Sequence, residues 1–126
     1  MMTASIARYN IEKKRGNPAF SNSWHIALHP SRYYNDSVKP YPSLAPAKEL
    51  LTWWNKSDQA VDAQTRFTKR YIEETLSELD PRRIYDDLGE DAVLLCHEAS
   101  GKFCHRRLVA AWLEDILKIV IPEYRP

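Results

Sequence analysis

Two short clusters of reactive side chains stand close together in this chain. Cys96, His97 and Glu98 form the first, and Cys104, His105, Arg106 and Arg107 form the second. Thiolates attack electrophiles, imidazoles move protons near neutral pH, and guanidiniums grip phosphate or carboxylate through paired N–H donors. The set therefore suits anion binding, or cysteine-dependent catalysis with Cys104 as nucleophile and His105 or His97 as base. The cysteines and histidines are also zinc-ligand types, but adjacent Cys-His pairs do not easily both turn inward, and no C-x-x-C pair is present. Neither a metal nor a cofactor is expected.

These side chains need elements to position them. Ala92 to Cys96 is an unbroken apolar run, as expected of a strand covered on both faces. A loop with Gly101 follows, and then Leu108, Val109, Trp112, Ile116 and Leu117 recur at helical spacing. A helix start gathers unpaired backbone N–H groups and the positive end of the helix dipole. A thiol there falls below its usual pKa of about 8.5, and such junctions commonly bind ligands in α/β proteins. Positions 104, 107 and 108 share a helical face and 106 lies on another, so one arginine faces a given ligand. The bland alternatives stay open: Cys96 as a core residue, Arg107 as a surface charge, Glu98 as a partner for Arg106, and the two histidines as hydrogen-bonding groups.

Further upstream, Thr3 to Tyr9 reads as a first strand, broken by the basic turn Lys13-Lys14-Arg15 and by Pro18. A second strand fits Trp24 to Leu28. Between His29 and Pro46 lie four prolines and three tyrosines, which predicts an extended loop. Within it His29, Arg32 and Tyr33, with Tyr34 and Tyr41, could supply a second wall suited to a nucleobase or ribose-phosphate. Helical periodicity begins near Pro46, with Trp53 as a core residue. It resumes from Asp58 to Leu79, and Asp80-Pro81 caps a short helix through Leu88. Trp112 is a core residue of the last helix, and Lys118 to Ile121 reads as a final strand. The pattern is that of a small α/β domain, its mostly parallel sheet flanked by helices.

The segment LLCHEASGKFCHRRLVAAWL resembles the signature of the domain of unknown function 488 family, in which a strand ends in Cys and a Cys-His-Arg triplet opens the next helix. SLAPAKELL and YIEETLSELDP are similar to a compact subgroup carried by phages and prophages, and the likeness runs from about Leu44 to Glu123. The resemblance implies a Rossmann-like three-layer fold with a shared pocket, and favours Arg106 as the ligand-facing arginine. It carries no settled activity.

Composition narrows the classes. The chain has 126 residues, enough for one domain with one core. Eighteen basic residues against seventeen acidic ones leave a net charge of +1, so nothing global favours nucleic acid or a membrane surface. No apolar run approaches the roughly 20 residues of a membrane span, and no signal peptide opens the chain. Two cysteines without export signals read as reduced thiols in the cytoplasm. Oligomeric state is not encoded legibly. The leading expectation is binding, or sequestration, of a small anionic nucleotide or ADP-ribose-like ligand through Cys96, His97, Glu98, Cys104, Arg106, His29, Arg32 and Tyr33, in a phage counter-defence role. The alternatives are a cysteine-dependent enzyme acting on a phosphate- or ribose-bearing substrate, through Cys104 and His105, and a nucleic-acid or protein-interaction module.

Overall fold

The computed structural model describes residues 1–29 and 37–126. In chain order it contains β1 (Met2–Ser5), α1 (Ile6–Lys14), β2 (Ser23–His25), β3 (Lys39–Pro40), α2 (Lys48–Lys56), α3 (Val61–Glu74), α4 (Pro81–Leu88), β4 (Val93–Cys96) and α5 (His105–Leu117). The strands form one sheet in the order β1-β4-β2-β3, and every pairing is parallel. The domain is thus a small Rossmann-like three-layer α/β fold.

The apolar run at residues 92–96 becomes the central strand because both its faces are covered. Val93 and Leu95 point into a cluster with Ala4, Ile6, Tyr9 and Phe20 beside α1. Leu94 and Cys96 point the other way, among Leu50, Phe67, Tyr71, Val109 and Leu113 of the larger helical layer. All four β4 side chains are buried, and each leucine contributes about 1.5–3 kcal/mol by leaving water. The alternation of a strand therefore decides that the Cys96 sulfur faces α5.

Around the central strand the sequence reading holds for the helices from α2 onward, although α3 ends at Glu74, short of the expected Leu79. α4 begins where Asp80 accepts hydrogen bonds from the backbone N–H groups of Arg82 and Arg83, with Pro81 in the first turn. α3 presents buried Phe67 and Tyr71, four residues apart on one face. No helix among the described residues is long and apolar enough to cross a membrane.

Two expected strands are corrected. Residues 3–9 are not one strand: β1 stops at Ser5, whose side chain accepts from the Arg8 backbone N–H and starts α1. Ile6 and Tyr9 of that helix are buried one turn apart. No strand forms at residues 118–121 either. Lys118 leaves α5 in the left-handed region with φ +57°, and the chain beyond it touches β1 through one bridge, Thr3 to Glu123. The second strand is shorter than expected and shifted toward the N-terminus, and the Pro-rich segment contributes the two-residue β3.

Candidate active site

The carboxyl ends of β1 and β4 lie level, with Ser5 opposite Cys96, and β2 pairs on the other side of β4. From Cys96 the chain loops out, turns at Gly101 with φ +83°, and comes back to Cys104. Cys104 is the N-cap of α5 in extended backbone, without a side-chain cap hydrogen bond. Its sulfur is joined to that of Cys96 as a disulfide across 7.4 Å between Cα atoms. The expectation of two free thiols is thus corrected: the sheet edge and the helix start bring both sulfurs to one point.

Arg106 is fully buried, and its fork is occupied. Nε donates to Glu123 Oε1 at 3.1 Å and Nη2 to Oε2 at 2.6 Å. Nη1 donates to the Glu98 carbonyl at 2.8 Å and to Cys96 Sγ at 3.2 Å. Burial alone would raise the Glu123 pKa, but hydrogen bonds from Arg106 and Thr3, with the charge of Arg106, hold it down to about 2. The guanidinium expected to hold a ligand instead ties the 98–103 loop and the C-terminal segment to the strand end.

His105 also turns inward. Nε2 lies 2.7 Å from the Ile26 carbonyl, which can only accept, so Nε2 carries the proton. Nδ1 is 3.9 Å from Cys104 Sγ, and the ring meets Tyr71 edge-on at 5.6 Å between centroids. Burial, reinforced by the charges of Arg106 and His97 and opposed by the Ile26 hydrogen bond, lowers its pKa to about 4. The ring is neutral at pH 7, and Nδ1 offers a lone pair to the Cys104 side. The neutral ring thus faces Cys104 Sγ with its Nδ1.

The sulfurs border a cavity of about 200 Å³. Leu51, Trp54, Phe67 and Phe103 give it an apolar wall, and His29, His97 and Glu98 a polar one. Trp54 lies 5.1 Å from Phe103 and 5.3 Å from Phe67 between ring centroids. His97 is exposed, and its Nε2 is 2.9 Å from the His29 carbonyl. The structure thus gathers Cys96, His97, Glu98, Cys104, His105 and His29 at one cavity. Arg106 stands behind it, and Arg32 and Tyr33 lie outside the described residues.

One donor of each of Cys96, Cys104 and His105 lies within 4.8 Å of the others. Adjacent Cys104 and His105 do both turn inward, contrary to the expectation drawn from their spacing. With the sulfurs bonded to each other, His105 alone offers a good ligand atom, so a soft ion would need the reduced pair.

Two contributors were not read from the sequence. Glu123 gave no local signal, because its partner is seventeen residues away. The wall formed by Trp54, Phe67 and Phe103 belongs to three different segments, and no local pattern brings the three rings together.

The model of the DUF488-N3a family, described as the active DUF488-N3 subclade, matches residues 6–117. The chain belongs to this family. The match takes in both reactive clusters and the helices from α1 to α5, while Glu123 lies beyond it. No curated protein and no solved structure matches the chain.

Proposed function

We propose that this DUF488-N3a protein is a cysteine-dependent enzyme acting on a small phosphate- or ribose-bearing substrate in the cavity at the β4–α5 junction. The observation that carries the reading is the setting of Cys104. Its sulfur borders the cavity at the start of a thirteen-residue helix with no acidic residue in its first turn, and its partner sulfur accepts from a buried guanidinium. The helix N-terminus favours thiolate over thiol at Cys104, and the guanidinium at Cys96 favours that sulfur as the leaving group when the disulfide opens.

In this reading the disulfide is the resting form, opened by an external dithiol, which is oxidised as Cys96 and Cys104 take up its two electrons. The Cys104 thiolate then forms a bond to an electrophilic atom of the substrate as the bond to the leaving group breaks, and a water molecule later attacks that atom, breaking its bond to sulfur and restoring the thiolate. His105 orients the sulfur through Nδ1, and exposed His97 at the cavity passes a proton from solvent to the leaving group. The occupied fork of Arg106 supports this reading over sequestration of an anion, since the expected anion grip is already filled by Glu123. The family description as an active subclade agrees with it.

Alkylation of the reduced protein with iodoacetamide tests the reading: each event forms one S–C bond and releases iodide. We expect Cys104 to react selectively, with an apparent pKa well below the ordinary 8.5, and the Cys104→Ser variant to lose the fast phase. Two slow thiols titrating normally would remove the catalytic reading and leave the cavity as a binding site.

A further inference from the structure

A second hollow opens on the other side of the 98–103 loop. It measures about 1420 Å³ and runs between the start of α1, the loop and the C-terminal segment. Arg8, Lys102, Arg107 and Arg125 border it, and the one acidic residue on its lining is Glu123. That carboxylate is already held by Arg106. The chain as a whole carries a net charge of +1, so positive charge is concentrated here rather than spread evenly. Arg8 shares Glu12 with Arg15, which leaves Lys102, Arg107 and Arg125 as the main cations.

The groove is also prepared structurally. Arg107 Nη1 donates to Thr3 Oγ1 at 2.8 Å and to the Ile121 carbonyl at 2.9 Å, which fixes the guanidinium at the groove wall before any ligand arrives. α1 starts beside it, and Ala7 of its first turn lines the wall. Phe103 borders both this groove and the thiol cavity. The two hollows are therefore neighbours across one aromatic ring.

From this juxtaposition we infer that the basic groove binds the phosphates of a nucleotide-type substrate whose reactive end passes Phe103 to reach Cys104. The inference rests on the proposed cysteine chemistry and names its substrate class. It also moves anion recognition from Arg106, whose fork is filled, to Lys102, Arg107 and Arg125. The volume exceeds the roughly 300–1,000 Å³ of ordinary small-molecule pockets, which accommodates a nucleoside together with its phosphates. A nucleic-acid strand would use the same phosphate chemistry, but would need stacking platforms along the groove. The aromatic residues on its lining are Phe103 and Tyr124 alone.

The test is fluorescence anisotropy with N-methylanthraniloyl-ATP, using the whole protein. We expect saturable binding, displacement by inorganic pyrophosphate and by ADP, and no displacement by adenosine. Charge reversal at the exposed positions, Lys102→Glu and Arg125→Glu, should each weaken binding by about tenfold, the scale of one charge-assisted hydrogen bond. Both positions are solvent-facing, so these variants should fold where Arg107→Ala, which breaks two internal hydrogen bonds, could fail. Cys104→Ser should still bind, which separates this inference from the catalytic one. No binding, displacement by adenosine, or binding indifferent to both reversals would overturn it. Binding of a fluorescein-labelled oligothymidine with a steep salt dependence, without N-methylanthraniloyl-ATP binding, would overturn it in favour of a nucleic-acid surface.

Discussion

Arg106 and Glu123 face each other fork to fork, with Nε–Oε1 at 3.1 Å and Nη2–Oε2 at 2.6 Å, the arginine fully buried and the glutamate side chain 15% exposed. This pair joins the first turn of α5 to the C-terminal segment and presses Nη1 against Cys96. Removing one partner of a buried pair strands the other, which costs about 3–5 kcal/mol. Glu123→Ala should be the worse of the two, because it leaves a guanidinium with no exposure at all. Urea unfolding of both single variants and the double variant checks this: the double should lose less than the sum of the singles.

Acid should weaken the fold in two windows. His105 has its folded pKa lowered to about 4 from 6.5, so the unfolded chain takes up its proton first. The stability contributed by the neutral ring is full above about 6.5 and lost as the pH falls toward 4. Glu123, lowered to about 2 from 4.5, contributes above about 4.5 and loses that contribution between 4.5 and 2. Unfolding free energy followed against pH should show both slopes. His105→Gln should flatten the upper one alone, and Glu123→Gln the lower one alone.

Reduction should loosen the protein without unfolding it. The disulfide closes a short loop, with a sequence separation of 8, and chain-entropy scaling assigns such a link about 2–3 kcal/mol. Added reductant should lower the unfolding free energy of the wild-type chain by that amount. Cys96→Ser should show no response to reductant; an equal response would mean that the cross-link contributes nothing.

Lys118 ends α5 with φ +57°, a region that costs a side chain-bearing residue about 1 kcal/mol or more and costs glycine little. Its contact with Asp115 at 4.0 Å joins two exposed side chains and is worth little. Lys118→Gly should therefore raise stability by up to about 1 kcal/mol, measured by thermal unfolding.

The stretch from Ala92 to Leu117 was legible because each of its signals is local. An apolar run, a glycine and a helical stripe come in the order that makes a strand, a turn and a helix. α4 was legible for the same reason, through Asp80 and Pro81. The first helix was not, since Ala4 and Ile6 alternate with Thr3 and Ser5 as a strand would and no acidic residue marks the first turn. Its real start signal is the Ser5 side chain, and that choice is settled by burial of Ile6 and Tyr9 against Phe20. Residues 119–121 are apolar enough for a strand, and Ile119 and Ile121 do pack on the core, yet the segment follows a left-handed turn and bridges β1 only at Glu123, with Val120 82% exposed. At the site, the sequence located the cysteines and histidines but could not say which charge meets which. Arg106 reads as a ligand grip until Glu123 arrives from the far end of the chain.

Phe103 borders three hollows at once: the thiol cavity, the basic groove and a shallower one along α3 lined by Val61, Thr68 and Ile72. A side chain so placed turns occupancy into a shared quantity. A molecule that shifts the ring from one side changes the space on the other two, and within each pair of sites so coupled the effect is the same in both directions. Ligands of the α3 hollow would thus alter affinity at the cysteines without touching sulfur, a handle for modulation that lies in one aromatic ring.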